Sequence, residues 1–477
     1  MEEAGCAPGG LPARRGARRT RASAHPPPSS PPLSSYVAVR GYDAVKRVLN
    51  GEHVTAEVRE GGEEGEGGRR APPPSHHQRS SLSLSPQVEW PYAIRELLGP
   101  GSVSTTYHAD HRKLRQTLAP AFAPRAVAAA VPHIASLLTG HIQSWIEAGP
   151  GLGGVAAAKA ATFHVVLTVV MGFPPSWTTP AALADMSGLF EAWLQGFLPG
   201  RKHLAAGLAA RKKIVAAIDA ATSPGVAARR AMPADDRPPP ASMMDRLADA
   251  VDADGVPLAA DRLPTIALNL LFAGHETSAQ TLTHLMRTLA ARPDLMERLR
   301  REQAAVVAEH GPEVTASSLA AAPLAAACVR EQLRTVPVVA QLFRKALAPL
   351  DVGNGVSVAA GEVVVLDLEH TMATDARWEG EAAGGPLDPA SFAPDRWLSN
   401  SPDAKKEGAF LPFGSGARMC VGWTLANAEL QAALALLART AAWRVHAPGA
   451  PLARPPAPRL PVDGLVVTVE RWGGWEE

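Results

Sequence analysis

Cysteine is scarce in this chain of 477 residues. Cys6, Cys328 and Cys420 are too few and too widely spaced for a disulfide framework, so a reducing compartment is the simpler expectation. Long apolar runs are also missing, because stretches such as 165–171 and 434–438 fall far short of a membrane-spanning helix, which needs roughly 20 residues. The sequence therefore predicts neither a disulfide-rich secreted domain nor a transmembrane anchor.

Neither sign of charge is in excess. Lys and Arg total 47 and Asp and Glu total 46, which leaves a net charge of +1. Without a global basic field, nucleic acid is not expected as a partner. Hydrophobic residues make up 46% of the chain, enough for a core that encloses a cofactor and excludes water.

Two segments have too few apolar residues to order themselves. Residues 1–35 are rich in Pro, Gly, Ser and Arg, which is typical of a disordered tail, an incorrectly assigned start or an organelle transit peptide. Residues 58–89 form a low-complexity insertion of Glu/Gly and then Pro, His and Ser. The pair His76–His77 suggests a metal site, but no further ligand follows at a suitable spacing, so a solvated insertion is preferred.

The chain from Trp90 onward is mainly helical, with a smaller β-rich part in the C-terminal half. The longest helical pattern covers 263–291, where Asp261 can cap the start and Pro293 follows the end. Polar and Pro-rich residues over 222–241 predict a break. Predicted strands lie at 36–40, 355–358, 363–366 and 465–469, and a short helix is predicted at 44–49.

The most specific pattern is residues 413–422, which read Phe-Gly-Ser-Gly-Ala-Arg-Met-Cys-Val-Gly before a predicted helix over 425–438. A cysteine at a helix entrance lies where backbone N–H groups and the helix dipole favour a thiolate. Thiolate sulfur is a soft donor suited to iron. A buried, inert cysteine is the commoner fate of a single thiol, but the residues around Cys420 make that a poor alternative.

Each neighbour in this loop has a predicted task. Gly416 and Gly422 would let the backbone turn tightly and approach a flat macrocycle. Phe413 would pack against the sulfur and limit solvent, which tunes a redox potential. Arg418 would place a positive charge near a carboxylate of the ligand.

A second pattern lies inside the long helix, where residues 273–278 read Ala-Gly-His-Glu-Thr-Ser. A mid-helix glycine costs about 1 kcal/mol relative to alanine, so Gly274 would be explained by close approach of a ligand. Glu276 and Thr277 offer a carboxylate and a hydroxyl that can relay protons. A zinc-protease helix is excluded because Ala279 stands where the second His is required, and a buried helix with an incidental polar face is the remaining alternative.

The Phe-x-x-Gly-x-Arg-x-Cys-x-Gly arrangement resembles the cysteine loop of the cytochrome P450 family, whose Cys-ligated heme favours O–O cleavage. The resemblance runs from about Tyr36 to Val469. It implies a mainly α fold with a smaller β-rich region, formed by one large domain over 36–472 around a buried heme b. Cys420 would be the axial ligand of the iron, and Glu276 and Thr277 would deliver protons to the bound oxygen.

The resemblance also implies contacts away from the sulfur. His111 and Arg115 match a propionate-binding helix, for which a basic surface helix is the alternative, and Arg344 matches a second propionate contact. Glu331, Arg334 and Arg396 would form one buried charge cluster, although the first two alone are typical of a solvated pair. The heme-binding residues implied are His111, Arg115, Ala273, Gly274, Arg344, Phe413, Arg418, Cys420 and Gly422.

The implied reaction is insertion of one oxygen atom of O2 into an unactivated C–H bond of a small apolar substrate. Electrons would come from NADPH-cytochrome P450 reductase or a ferredoxin, because no complete Gly-x-Gly-x-x-Gly unit for a nicotinamide or flavin is found. Gly414-Ser415-Gly416 begins that pattern, but Met419 replaces its third glycine. Segments 190–211, 270–278 and 336–346 are similar to retinoic acid, plant steroid and abscisic acid hydroxylases. The substrate would then be an isoprenoid, sterol or carotenoid-derived compound, in a pocket lined by Phe190, Trp193, Phe197, Leu268, Phe272, Val338 and Val339.

Two other functions stay open at this point. A heme-thiolate isomerase or dehydratase would rearrange a hydroperoxide without external electrons, although Thr277 argues against it. A non-catalytic heme-binding protein is the second. A plastid location and a peripheral membrane contact also stay open.

Overall fold

The computed structural model describes residues 18–19, 36–40, 42–50, 92–252, 254–346, 349–353, 356–382, 385–398, 409–453 and 459–474. The chain forms two compact units. Unit 1 comprises Met1–Glu89 and Gln341–Thr371, and unit 2 comprises Trp90–Ala340 and Met372–Glu477. The insertion predicted over 58–89 and most of the tail predicted over 1–35 lie outside the described residues, so they and the boundaries 36–472 stay predictions.

The described residues are mainly helical, as the sequence predicts. The helices are α1 (Tyr42–Asn50), α2 (Tyr92–Leu98), α3 (His108–Leu118), α4 (Pro124–Glu147), α5 (Gly154–Val165), α6 (Pro180–Leu194), α7 (Arg201–Ala231), α8 (Met243–Asp249), α9 (Leu263–Ala290), α10 (Pro293–His310), α11 (Ala316–Ala320), α12 (Pro323–Thr335), α13 (Leu368–Thr374) and α14 (Trp423–Thr440). The strands are β1 (Arg18–Arg19), β2 (Tyr36–Val39), β3 (Pro150–Gly153), β4 (Gln341–Lys345), β5 (Leu350–Gly353), β6 (Val356–Val358), β7 (Val363–Asp367), β8 (Gly380–Ala382), β9 (Gly385–Leu387), β10 (Ala441–Val445) and β11 (Val466–Arg471).

Unit 1 is built on a sheet in the order β1-β2-β7-β4, in which β2 is parallel to β7. The antiparallel pair β5–β6 forms a separate hairpin. The strands predicted at 36–40 and 363–366 are confirmed as β2 and β7, and the predicted helix at 44–49 is confirmed as α1. Within the segment predicted as a tail, β1 pairs antiparallel with β2.

Unit 2 is organised around α9, which is packed against α5, α7, α12 and α14. Most of its side chains are buried, which is typical of a helix through the core of a large protein. The predicted start and length are confirmed, but the predicted cap is wrong. Asp261 lies in a preceding 3₁₀ turn, and Pro264 occupies the first helical turn, where the missing N–H is not needed.

The break predicted over 222–241 is wrong for its first half, because α7 continues through Pro224 to Ala231. The end of the helix is anchored by Arg229, which is buried and donates to Asp249 at 2.9 Å and to the Pro238 carbonyl at 2.9 Å. Tertiary contacts of this kind outweigh the local preference of a proline to end a helix.

Among the described residues, no single helix is long and apolar enough to cross a membrane, although the bent pair Ala109–Phe122 and Pro124–Glu147 meets the requirement by length and composition. The two members meet at an angle of 50°. Many apolar side chains of α4, such as Val131, Ile134 and Leu138, are buried in the core of unit 2.

The predicted charge cluster is buried. Glu331, Arg334 and Arg396 are each 0% exposed. The Glu331 carboxylate accepts from Arg334 at 2.7 and 2.8 Å and from Arg396 at 3.0 Å. The indole N–H of Trp397 and the backbone N–H of Ala393 donate to the same carboxylate at 2.8 and 2.9 Å. One acid therefore joins α12 to the chain around 393–397.

We expect Glu331→Ala to lower the free energy of unfolding by roughly 3–5 kcal/mol, because it removes the carboxylate that Arg334 and Arg396 both contact in the core. Urea denaturation followed by circular dichroism measures the change. Glu297→Ala is the matched control, since Glu297 pairs with Arg301 on the surface of α10 and such a pair contributes at most about 1 kcal/mol. Equal losses in the two variants would contradict the role of the cluster.

Candidate functional site

The cysteine loop is closed by its own backbone. The Cys420 N–H donates to the Phe413 carbonyl at 2.9 Å. Gly414 and Gly416 have φ of 70° and 69°, the left-handed region that favours glycine. The tight turn predicted at Gly416 is confirmed, and Gly414 makes a second one that the sequence analysis missed.

Gly422 has a different task from the one predicted. Its φ is −90° at the N-cap of α14, so no left-handed turn requires a glycine there. Its backbone N–H instead hydrogen-bonds to the Cys420 sulfur, which lowers the pKa of that thiol. The predicted close approach of Gly422 to a macrocycle stays a prediction.

The two described cysteines differ in their surroundings. Cys420 is exposed, whereas Cys328 is buried in the core and burial raises its pKa far above the usual value. Protein atoms around the loop also raise the pKa of Cys420, and the Gly422 N–H and the Arg115 charge only partly offset them. The helix entrance alone therefore does not ionise this thiol, and a bound metal ion, which deprotonates a thiol ligand, would have to do so.

Three basic side chains converge on this loop. Arg115 on α3 donates to the Met419 carbonyl, and Arg418 donates to the Thr106 carbonyl at 2.7 Å. Burial first, and then the charges of Arg418 and Arg115, lower the pKa of His111 to about 4. Burial also lowers the pKa of Arg418 to about 10. The positive charges of Arg115 and Arg418 thus lie together in a half-buried place beside a neutral His111, which fits a ligand that carries carboxylates.

Two residues make α9 accessible in its middle. Ala273 is exposed and Thr277 is half-buried, while the residues between and after them include the buried His275, Glu276 and Ser278. Positions four apart share one face of a helix. The Thr277 hydroxyl donates to the Ala273 carbonyl at 2.5 Å, so its oxygen can still accept a hydrogen bond from a ligand.

A side chain at Gly274 would point toward the neighbouring helix rather than along the accessible face of α9. A Cβ atom at this position would lie 3.0 Å from the Val166 Cγ2 atom. The glycine therefore allows α9 to pack closely on the π-helical turn Val166–Val170 that follows α5, and the approach of a ligand to Gly274 stays a prediction.

Glu276 is buried and paired with cations. Its Oε1 atom lies 2.9 Å from Lys159 Nζ on α5 and 3.4 Å from His275 Nε2. Burial raises the pKa of Glu276, but His275 and Lys159 together lower it by more, so the net shift of the pKa is downward. Lys159 Nζ also lies 3.0 Å from Glu191 Oε1 on α6. The sequence analysis missed Lys159, because no local motif marks a lysine that pairs with acids on two other helices.

Phe413 and Arg344 are two further residues that were predicted to contact the ligand. Phe413 contributes its carbonyl to the loop, and its ring packs partly buried against the core. Arg344 lies on β4 in unit 1, where it is buried and donates to the Phe343 carbonyl at 2.9 Å. The predicted contacts of Phe413 with the sulfur and of Arg344 with a propionate stay predictions.

The predicted pocket lining divides in two. Phe190, Trp193 and Leu268 are fully buried core residues and do not line an accessible cavity. Phe197 and Phe272 are half-buried and stack with their ring centroids 5.7 Å apart, and Phe272 directly precedes the exposed Ala273. Val338 is half-buried and Val339 is exposed.

The side chains at this site fit a metal ion that is held mainly by a cofactor and receives one ligand from the protein. No group of three or more His, Cys, Asp or Glu side chains in the described ranges is arranged to hold a metal ion. An exposed thiol on a rigid loop, beside cations suited to carboxylates, fits an iron porphyrin with one protein ligand and two propionates.

Comparison with known proteins agrees with this geometry. The cytochrome P450 family model matches residues 81–458. Cytochrome P450 26A1 of Gallus gallus is 28% identical over 390 residues, covering 79% of this chain and 76% of that protein. Putative cytochrome P450 120 of Synechocystis is 28% identical over 346 residues, covering 72% and 73%. The structure described as retinoic acid bound cyanobacterial CYP120A1 has a TM-score of 0.72 at 25% identity and covers 92% of this chain and 90% of its own.

A loop with one accessible cysteine and a fold shared with solved heme-thiolate enzymes define a heme-dependent monooxygenase. The chain belongs to the cytochrome P450 family. Its cofactor is heme b, and its reaction uses O2, a substrate and electrons from a redox partner. The predicted fold class, family and enzyme class are confirmed.

Proposed function

We propose that this cytochrome P450 hydroxylates a small apolar isoprenoid, a class that includes retinoids, sterols and carotenoid-derived compounds. The observation that carries the proposal is the accessible strip on α9, where Ala273 and Thr277 follow the stacked pair Phe197–Phe272. Aromatic walls beside a single hydroxyl suit an apolar substrate that offers few polar groups. The solved relative at 25% identity is described as binding retinoic acid, which belongs to this class.

In this proposal the residues of the cysteine loop hold the heme. Cys420 would supply its sulfur to the iron, and the Gly422 N–H, which hydrogen-bonds to that sulfur, would stabilise its negative charge. Arg115, Arg418 and neutral His111 would hold the propionates. Heme b, when bound, supplies the activation of O2 at its iron.

The accessible face of α9 handles protons. Thr277 would hold a proton at its Oγ1 atom for the reaction, and Glu276 would exchange protons with solvent through Lys159 and the half-exposed Glu191. Electrons come from a reductase or ferredoxin that docks on the side of the cysteine loop.

The ligand assignment is tested by Cys420→Ser. A hydroxyl is a harder and weaker donor to iron than a thiolate, so we expect the variant to lose the thiolate-type absorption band of the reduced, carbon monoxide-bound protein. Cys328→Ala is the control, because that thiol is buried in the core, and it should keep the band. A thiolate-type spectrum in Cys420→Ser would refute the assignment.

Thr277→Ala should keep the heme and its spectrum but lose coupling, because the proton is no longer held beside the oxygen. We expect product formed per reductant oxidised to fall by at least about 10-fold, with peroxide rising in its place. Thr283→Ala on the same helix removes a similar buried hydroxyl, bonded at 2.8 Å to the Ala279 carbonyl, and should stay coupled. Unchanged coupling in Thr277→Ala contradicts its role.

The substrate class is tested by titrating the ferric protein with retinoic acid, a sterol and a carotenoid-derived terpenoid. A substrate that displaces water from the iron shifts its spin state, which absorption spectroscopy records. We expect at least one of these compounds to shift the spin state at micromolar concentration and to be hydroxylated with a reductase present. Shifts only with compounds outside this class would contradict the assignment, and turnover of a hydroperoxide without reductant would identify the isomerase instead.

A further inference from the structure

Two histidines face each other between α4 and α5, the helices that β3 joins. His141 Nε2 on α4 lies 3.1 Å from His164 Nδ1 on α5, and the two rings meet edge to face at an angle of 81°. Both side chains are half-buried. Neither residue belongs to the cysteine loop, to the accessible strip on α9 or to the charge cluster at Glu331.

The distance between the two nitrogens suits one shared metal ion. A tetrahedral Zn²⁺ is bound by imidazole nitrogens at about 2.0–2.1 Å, so two such nitrogens lie roughly 3.3 Å apart. The facing nitrogens of His141 and His164 are already close to that separation. Small rotations of the two rings would therefore replace their shared hydrogen bond with two bonds to one ion.

The two histidines are held neutral by their surroundings. Burial first, and then the charge of His164, lower the pKa of His141 to about 4. Burial first, and then the charge of His133, also lower the pKa of His164. Neutral imidazole is the form that binds a metal, so an ion does not have to displace a proton from a charged ring here.

The pair also has no strong positive field around it. Within the described part of the chain, no arginine or lysine affects the pKa of either histidine. His111 at the cysteine loop is the contrast, because the charges of Arg418 and Arg115 lower its pKa. A divalent cation would be repelled at His111 but not between α4 and α5.

Water would supply the remaining ligands of the ion. Within the described residues, no third His, Cys, Asp or Glu joins the two histidines in an arrangement that could hold a metal ion. Thr168 stands four residues after His164, a spacing that brings side chains close together on a helix. Its buried hydroxyl has no hydrogen-bond partner among the same residues. Because buried polar atoms are nearly always bonded, this hydroxyl is suited to hold one of the water ligands.

We propose that His141 and His164 form a binding site for one divalent transition-metal ion, best suited to Zn²⁺, which fastens α4 to α5. On binding, the ring that donates the shared hydrogen bond moves its proton to its second nitrogen, and both facing lone pairs then bind the ion. No net proton is released, and nothing is oxidised or reduced. The site is independent of the proposed monooxygenase function.

The first test is calorimetric titration of the full-length holoprotein, without a polyhistidine tag, with Zn²⁺ at neutral pH. We expect one high-affinity site per chain, whose dissociation constant rises at least ~10-fold in His141→Gln and in His164→Gln. Gln keeps a hydrogen-bonding side chain but is a poor ligand for Zn²⁺. His310→Gln on α10 is the matched control and should bind like wild type, although His310 Nε2 lies 3.9 Å from Glu309 Oε1.

Wild-type affinity in both His141→Gln and His164→Gln would overturn the proposal, because the ion would then be bound elsewhere. The absence of a high-affinity site in the wild-type protein would overturn it too. Each variant should retain the circular dichroism spectrum of the wild type, which shows that a loss of binding is not a loss of folding.

The pH dependence separates this pair from ordinary surface histidines. Two histidines with the usual pKa of about 6.5 would lose roughly 10-fold in affinity between about pH 7.5 and about pH 6, because protons compete with the ion. Since burial lowers the pKa of both His141 and His164, we expect the wild-type affinity to change less than about 2-fold over this range. A loss as large as that of ordinary histidines would contradict binding by this pair.

The melting temperature tests whether the ion joins the two helices. An ion that binds only the folded pair stabilises it, so saturating Zn²⁺ should raise Tm of the wild-type holoprotein by about 2–5 °C. The rise should be absent in His141→Gln and retained in His310→Gln. Equal rises in wild type and His141→Gln would contradict the proposed link between α4 and α5.

Discussion

A charged side chain that is buried away from water needs a cation, an anion or a hydrogen-bonding group in contact with it, and unit 2 is arranged around that constraint. Where an acid faces arginines, as at Glu331, the result is a rigid junction between a helix and a distant loop. Where an acid faces one lysine shared with a second acid, as at Glu276, the junction is weaker and closer to solvent. Where a buried acid has no cation that affects its pKa, as at Glu429 on α14, burial raises that pKa to about 8. The same residue type thus has three environments set by its neighbours.

The cysteine loop presents the same constraint with the opposite sign. Arg115 and Arg418 raise the positive potential around the loop, and burial disfavours charge on both of them. A dianionic ligand relieves this repulsion, and a metal ion ionises the thiol. Protein and cofactor therefore stabilise each other, and we expect folding and heme binding to be linked.

Much of the fold and of the site could be predicted from sequence because the informative patterns are local. The loop around Cys420 and the positions Ala273 and Thr277 on α9 depend on residues a few places apart, and each lies on the predicted element. Family resemblance supplied the longer-range cluster at Glu331, which no local pattern requires.

The features that the sequence analysis missed depend on tertiary contacts. A side chain at Gly274 would meet Val166, which is far away in sequence, and Lys159 meets Glu276 only when α5 packs on α9. The helix through Pro224 continues because Arg229 binds Asp249 beyond its end. Composition and spacing do not encode such pairings, so these residues could be found only in the folded chain.

The lysine bridge between α6 and α9 has a mechanical consequence. Lys159 is bound at once to Glu191 on α6 and to Glu276 on α9, and the turn after α6 carries Phe197. A bulky ligand that pushes α6 outward would move Glu191 as well. This movement would change the electric field at Glu276 without any contact between the ligand and that residue. Binding of a ligand beside Phe197 would therefore change the pKa of Glu276.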